Sequence, residues 1–541
     1  MKNLLRMKAT HHDEDVPKSV YGYRPYLLTF SAAWASAMYG YDSAFIGGTL
    51  ALPSFKDAYG LTNATRAEAA SLSSNIVSTF QGGAFFGSMF GFVLGERFGR
   101  KPVLLIATCV FCIGAILQLI GKIGLLYAGR ALTGLGVGAT SMILPIYISE
   151  CAPPNIRGRL VGFFEVMLQS ALVIGFWVNY GVNENVPASS SSQWHIPVAL
   201  QLAPGAMLLL MVPLFTVESP RWLVSKGRNQ DAQKALAWAR NLPEDDLYLQ
   251  HELRRIENGV NDELEIVGGS GSSTYVKIAR ELFCKGVRNR LIIGTWLMVL
   301  QNMTGINAIN YYSPTIFRAI GYTGTSTGLL ATGVYGIVKM AATIIYVIII
   351  DRVGRRPLLL IGATGSAIAM FYLGIYCNLS NSLNATPKAD AGARLAVGMV
   401  YVYAIFYGAS WNGIPWLYTS EILPTRVRTL GMAFGVCIQW LSQFIVVYSL
   451  PYMITDIGYG TFIFFGTCTV IAFLFAYFLV PETKGVAIED MGLLFGPDVS
   501  IIARKARRNW ELNREEADAV VMRDLDKATK MEDEDDHVER V

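Results

Sequence analysis

The chain predicts an all-α integral membrane protein of twelve spanning helices arranged as two six-helix halves, and three observations carry that prediction. Of its 541 residues, 52% are hydrophobic and only 16% charged, against roughly 25% charged in soluble proteins. Twelve mainly apolar stretches, each near the roughly 20 residues a spanning helix needs, lie around 26–50, 73–95, 102–121, 125–147, 160–181, 196–216, 291–318, 327–350, 358–378, 395–418, 431–454 and 460–480. Two signatures also recur. Gly95-Glu96-Arg97-Phe98-Gly99-Arg100-Lys101-Pro102 returns as Asp351-Arg352-Val353-Gly354-Arg355-Arg356-Pro357. Glu150, Pro153 and Arg157 return as Glu421, Pro424 and Arg428, each 271 residues on. Chance similarity does not keep three residues in register, so the chain is a duplication. A parallel repeat of hydrophobic halves is how carriers with a site between the halves are built.

In chain order, residues 1–25 are a polar segment containing His11, His12, Asp13, Glu14 and Asp15. They lack the apolar core of a cleaved signal peptide, so the first span is expected to stay in the mature protein. Residues 26–216 hold the first six spans and 291–480 the second six. Between them, 217–290 is a charged connector in which Asn229 to Asn241 and Asp245 to Asn258 read as amphipathic helices, followed by the flexible run Gly268 to Ser273. Residues 481–541 form a tail, with a basic-then-acidic helix over Ile501 to Ala519 and a disordered acidic end from Met531 to Val541.

Arg97, Arg100 and Lys101, then Arg157 and Arg159, then Arg352, Arg355 and Arg356, then Arg426 and Arg428 fall in alternate short loops. The positive-inside rule assigns these loops, and with them both termini, to the cytoplasm. The opposite loops carry the sequons at Asn63, Asn378 and Asn384. Seven cysteines, odd in number and mostly inside spans, read as packing residues rather than a disulfide framework. The net charge of +4 is accounted for by the basic loops, so nucleic acid is not implied. The five histidines lie at termini or in loops, and neither a nucleophile–base pair nor a metal-ligand cluster is legible. The chain is therefore not expected to be an enzyme. Its expected partners are a small-molecule substrate, protons as coupling ion and the lipid bilayer, with no cofactor or metal, in a monomer at the plasma membrane.

Charges at bilayer depth cost at least about 2.5 kcal/mol on insertion scales and are seldom idle. Four stand inside spans: Asp42 in the first, Arg130 in the fourth, Glu165 in the fifth and Lys339 in the eighth. Asp42 and Arg130 make a plausible pair. Alternately joining and separating them would switch the carboxyl between holding and releasing a proton; the plainer alternative is a static structural ion pair. Glu150 and Glu421, with Glu96, Arg97, Arg100, Arg157, Glu218, Arg352, Arg355, Arg428 and Glu482, suggest ion-pair networks that tie each half's helices together when the cytoplasmic side is shut, against the alternative of topology-setting charges and weak surface pairs. Gly134, Gly136 and Gly138 suit close helix packing.

The paired Gly-Arg loops resemble a known family when joined to four further motifs. These are Pro145-x-Tyr147-x-Ser149-Glu150 with Arg157-Gly158, Glu218-Ser219-Pro220-Arg221-Trp222, Gln301-x-x-x-Gly305-Ile306-Asn307, and Pro481-Glu482-Thr483-Lys484-Gly485 with Glu489. Over nearly its whole length the chain resembles a sugar porter of the major facilitator superfamily. Val217 and Glu96 depart from the usual pattern without disturbing the fold it implies. The resemblance implies proton coupling through Asp42 and Arg130, and substrate contacts at Gln301, Asn302, Asn307, Trp416 and Gln439. It also implies that the connector helices clamp the inner loops. Phe163, Phe164, Tyr311, Tyr312, Phe406 and Tyr407 fall near the site, where such residues are commonly core or lipid-facing.

Other positions depart from the sugar-binding pattern. Glu165 stands where the family carries a glutamine, with Gln169 one turn later. Asn412 lies in Trp411-Asn412-Gly413-Ile414-Pro415-Trp416, one turn before Trp416, and Lys339 stands where some sugar carriers use asparagine. A cation facing the sugar site needs an anion, which either Glu165 or a substrate carboxylate can supply. Asp42 to Gly47, Gly305 to Pro314 and Ser410 to Gly413 resemble the fungal quinate permease branch, with its hexuronate-carrying relatives. The expectation is a proton symporter for a sugar acid or cyclitol acid, galacturonate or quinate, by alternating access. A carrier of neutral hexoses or pentoses, proton-coupled or facilitative, and a transporter-like nutrient sensor are the alternatives.

Overall fold

A computed structural model describes residues 17–153, 156–267, 280–319, 324–381, 390–486, 491–495 and 502–508. The linker run from Gly268, the sequon at Asn384, Glu489 and the acidic end from Met531 lie outside the described residues, as does most of the expected tail helix, of which 503–508 is helical.

The first half comprises α1 (Tyr23–Thr49), the short α2 (Pro53–Ala58), α3 (Arg66–Phe98), α4 (Arg100–Gln118), α5 (Ile123–Cys151), α6 (Arg157–Asn185), and a sixth span made of α7 (Ser192–Leu200) and α8 (Leu202–Phe215). The connector holds α9 (Pro220–Ser225), α10 (Asn229–Arg240) and α11 (Leu247–Val267). The second half comprises α12 (Val287–Met303) with α13 (Ile306–Ala319), α14 (Thr325–Val353), α15 (Arg355–Leu379), α16 (Ala391–Gly408) with α17 (Ile414–Ile422), α18 (Thr425–Asp456) and α19 (Gly460–Leu479), followed by α20 (Met491–Phe495). By length and composition, 11 of the spans are apolar enough to cross a membrane. The remaining one, α1, has 27 residues but carries the polar run Ser36, Tyr39, Tyr41, Asp42 and Ser43. All twelve expected spans are present, extended at most ends by a few residues. Three stretches expected as single helices are interrupted: 196–216 at Gln201, 291–318 at 304–305, and 395–418 at 409–413 between α16 and α17.

Close packing within the first half comes from glycines. A Cβ on Gly134 or Gly138 of α5 would collide with the backbone of Phe80 or Ala84 of α3. The halves meet where α3 packs on α18, α6 on α14 and α1 on α13.

On the basic face the duplication is visible atom by atom. Gly99 and Gly354 take φ of 100° and 102°, and in each half the chain then enters a helix whose first amides are capped by a carboxylate. Glu218 accepts from the backbone N–H of Arg100 at 2.9 Å and of Lys101 at 3.3 Å; Glu482 accepts from those of Arg355 at 3.0 Å and Arg356 at 2.9 Å. An anion at a helix N-terminus meets both orphan donors and the positive dipole end. Burial raises the Glu218 carboxyl above the ordinary glutamate value, against the opposing pull of the Ser219, Arg100 and Lys101 amides. Arg100 then bridges Glu150 at 3.0 Å and Glu96 at 2.9 Å, and Arg355 bridges Glu421 at 2.8 Å and Asp351 at 3.2 Å. Ser219 donates to Glu150 at 2.6 Å and Thr483 to Glu421 at 3.1 Å. Among the described residues, these ion pairs stay within one half, as the sequence suggested.

The other arginines on this face act differently. Arg97 lies over the Phe98 ring, 5.3 Å from its centroid. Arg428 donates to the Leu423 carbonyl at 3.3 and 3.2 Å, Arg157 stands in the fields of Arg240, Arg221, Glu252 and Glu150, and the Arg352 carbonyl accepts from the Lys484 ammonium. The connector does clamp the first half: Trp222 Nε1 donates to the Glu96 carbonyl at 3.1 Å and Arg240 to the Cys151 carbonyl at 2.7 Å.

A side chain at Gly99 would collide with the Glu218 carboxylate, and one at Gly354 would lie 2.7 Å from Glu482 Oε2. That backbone region is essentially reserved to glycine, at about 1–3 kcal/mol for any other residue. Gly99→Ala and Gly354→Ala are each expected to lower the melting temperature of the purified protein, by similar amounts because the two geometries match. Unchanged melting in either variant would contradict the clasp.

Candidate functional site

Two helix breaks open the membrane core. Gly305, at φ 91°, separates α12 from α13, and the turn at 409–413 separates α16 from α17, where Pro415 sits in the first turn. Breaks leave carbonyls without helical donors, tolerable at membrane depth only where protein or a cavity satisfies them. Gln301 supplies that satisfaction: its amide donates to the carbonyls of Trp411 at 2.9 Å and Asn412 at 2.8 Å. Trp411 Nε1 fixes the turn from the other side through the Leu359 carbonyl at 2.9 Å.

Between the halves, beside both breaks, is a cavity of about 60 Å³. All nine residues expected to contact substrate line it: Glu165, Gln169, Gln301, Asn302, Asn307, Lys339, Asn412, Trp416 and Gln439. Their hydrogen bonds divide them. Asn302 donates to Ser442 Oγ at 2.9 Å and to the Gln439 carbonyl at 3.2 Å, and its oxygen accepts from Asn307 at 2.7 Å. One bond joins the two asparagines, and the Asn302 amide is otherwise satisfied by α12 and α18. By contrast, the side-chain oxygens of Gln169, Gln301 and Gln439 are buried and have no donor among the described residues.

The Lys339 side chain is buried, with 2% of the residue exposed, and its ammonium lies 5.7 Å from the centroid of the Tyr407 ring. Among the described residues it has no ion-pair partner. The salt bridge to Glu165 that the sequence left open is not formed; Glu165 instead accepts from Gln169 at 2.8 Å and from the Asn412 amide. Glu165 lies close enough to feel the charge on Lys339 without an ion pair between them, and both amides bond the same oxygen, Oε1. The cavity thus presents three acceptor oxygens lacking donors and one cation lacking an anion.

Behind this cavity Arg130 donates to Asp42, both side chains wholly buried. Arg130 also donates to the Ile76 carbonyl at 3.3 Å and lies over the Phe80 ring at 4.6 Å. The second carboxylate oxygen of Asp42 and one Arg130 nitrogen have no partner among the described residues, so the pair is joined by a single bond. Tyr311 stands between the pair and the cavity, donating to Ser43 at 3.2 Å and accepting from Gln443 at 3.2 Å. On the side away from the basic loops, Tyr311 also borders a vestibule of about 640 Å³. A Cβ on Gly47 would collide with its carbonyl, so α1 and α13 touch backbone to backbone between the two spaces.

Four polar residues of the cavity escaped the sequence reading: Tyr39, Ser43, Asn310 and Gln443. Gln443 follows Gln439 by one turn on the same face of α18, a spacing that would have found it. Phe164, Tyr311 and Tyr407 line the cavity, and Tyr312 lines the vestibule.

Residues 28–495 match the family model described as "Sugar (and other) transporter". The chain belongs to that family. Within it, the chain is 44% identical over 497 residues, 91% of either chain, to a probable quinate permease of Aspergillus fumigatus. It is also 42% identical over 501 residues to the quinate permease of Neurospora terricola, covering 91% of this chain and 92% of that one. Among solved structures, this sugar transporter family member is similar to the proton:xylose symporter XylE bound to 6-bromo-6-deoxy-D-glucose, with a TM-score of 0.72 and 26% identity, covering 87% of this chain and 99% of that one. A partially occluded inward-open form of XylE from E. coli gives 0.70 and 26%, covering 86% and 100%.

Removing one partner of a buried ion pair strands the other, at about 3–5 kcal/mol. Arg130→Met is therefore expected to lower the melting temperature sharply, and adding Asp42→Asn to restore part of the loss. A double variant no more stable than Arg130→Met would mean that the two side chains are not energetically coupled.

Proposed function

We propose that this chain is a proton-coupled symporter for a hydroxylated ring acid, quinate or a hexuronate such as galacturonate, working by alternating access. The observation that carries this is the Lys339 ammonium, without an ion-pair partner among the described residues, in a cavity that also holds three amide oxygens lacking a donor. A charge-assisted bond from Lys339 to a carboxylate, with Gln169, Gln301 and Gln439 accepting from ring hydroxyls, would satisfy every one of them. The names of the permeases at 42–44% identity support the substrate class.

Proton coupling is assigned to Asp42 and Arg130, supported by their burial, their single bond and the likeness to a proton:xylose symporter. Tyr311 would transmit occupancy of the cavity to the pair. One anion moving with one proton is electroneutral, so uptake would follow the pH gradient rather than the voltage. No cofactor other than the proton is invoked. The basic face is placed in the cytoplasm with both termini, on the positive-inside rule, in a monomer at the plasma membrane; Glu96, Arg97, Arg100, Glu150, Arg157, Glu218, Arg352, Arg355, Glu421, Arg428 and Glu482 belong to the gate on that face. A neutral-sugar carrier, in which Glu165 balances Lys339 across the cavity without contact, is the competing reading.

Uptake of labelled quinate, galacturonate and glucose into cells lacking their own carriers separates the two. Acid-selective uptake that a protonophore abolishes is expected. Lys339→Asn should remove a bond worth about 1.5–3 kcal/mol, weakening apparent affinity for the acids roughly 10- to 100-fold. Glucose uptake indifferent to Lys339→Asn would sink the acid proposal.

A further inference from the structure

The vestibule on the face away from the basic loops is charged in a way the central cavity does not explain. Lys56 comes from α2 in the first half and Arg318 from the end of α13 in the second, and both line its wall of about 640 Å³. Among the described residues neither has an ion-pair partner. The Lys56 ammonium is pushed below its ordinary value, first by burial and then by the Arg318 guanidinium, so the two cations stand in each other's field. The acid on this wall, Asp57, sits beside Lys56 in sequence, and its Oδ1 accepts from the Thr62 hydroxyl. Tyr312 lines the same wall, its hydroxyl buried without a partner among the described residues, at the one residue of α13 that departs from helical backbone, with φ −125° and ψ 18°.

Two like charges brought together across two halves that must move relative to each other repel unless an anion lies between them. A cleft that focuses positive potential also raises the local concentration and arrival rate of an anionic ligand. We propose that Lys56, Arg318 and the Tyr312 hydroxyl form an outer capture site for the carboxylate of the incoming substrate, separate from the central cavity and occupied before it. The two cations hold the carboxylate, and the tyrosine hydroxyl meets a ring hydroxyl or the second carboxylate oxygen. Bridging the halves, the anion relieves the repulsion that opposes their approach; passage inward then requires Tyr311 to leave Gly47 and Ser43. The ligand class presupposes the anionic substrate proposed for the central site, whereas occupancy of the vestibule does not require Lys339.

The test is the rate at which Lys56 is acylated by a water-soluble succinimidyl ester, followed by peptide mass spectrometry on the full-length protein in lipid nanodiscs. Quinate is expected to slow acylation several-fold and saturably, in the wild type and equally in Lys339→Asn, while glucose and sodium chloride at matched ionic strength leave the rate unchanged. Arg318→Gln should weaken this protection. A rate indifferent to quinate, or slowed equally by chloride, would overturn the capture site. Protection lost in Lys339→Asn would also overturn it, because the effect would then come from the central cavity. Because the readout is binding at Lys56, it is independent of whether Lys339→Asn alters uptake.

Discussion

A lysine ammonium enclosed between two membrane-spanning halves needs an anion, and Lys339 has none among the described residues. The polar side chains near it are bonded to other protein groups. The carboxylate in the cavity, Glu165, is held at Oε1 by the amides of Gln169 and Asn412 and forms no ion pair with Lys339. The amides of Gln169 and Gln301 are committed to the protein, leaving their oxygens unmet. Such a site is unfavourable when empty, since each buried unpaired polar group costs about 1–3 kcal/mol. A ligand that satisfies the groups together removes the cost, and a neutral sugar would leave the largest part of it in place.

The frame has to hold this unsatisfied site while letting the halves move. On the basic face each half is clasped to itself: a carboxylate caps a helix N-terminus, and an arginine joins two acidic side chains from neighbouring helices. The clasps repeat because the halves are duplicates. They tie each half to itself near its loops, while the two helix breaks lie beside the cavity and α1 meets α13 backbone to backbone at Gly47 and Tyr311. Tyr311 occupies that contact and is bonded towards both the cavity and the neighbourhood of the Asp42–Arg130 pair. On the proposed reading, substrate and proton would act on the same few side chains, a physical route by which one could bias the other.

Much of this was legible in the sequence because membranes restrict the options: apolar length sets the spans, and a duplicated charged motif sets the halves. Of the nine cavity residues, Glu165 and Lys339 were legible because charges at bilayer depth are rare enough to point at a site, whereas Gln301, Asn302, Asn307, Trp416 and Gln439 were implied by the resemblance to sugar porters, and Gln169 and Asn412 by departures from that pattern. What stayed hidden depends on atoms rather than residue types. The sequence does not say that the Gln301 amide is consumed by the carbonyls of the 409–413 turn while its oxygen is left over, nor that Glu165 turns to Asn412 rather than to Lys339. The break itself was read as continuous helix because Ser410, Trp411 and Asn412 do not forbid one; it exists because a tertiary partner, Gln301, satisfies the opened carbonyls. Lys56 and Arg318 were invisible as a pair, since α2 and α13 belong to different halves and only folding brings them to one wall.

The most direct measurement is a structure of the full-length protein with quinate bound. The carboxylate is expected within about 3 Å of Lys339 Nζ, the distance of a charge-assisted bond, with ring hydroxyls on the oxygens of Gln301 and Gln439. A ligand whose carboxylate points away from Lys339, with the ammonium instead paired to Glu165, would contradict the claim that the unpaired cation selects the substrate.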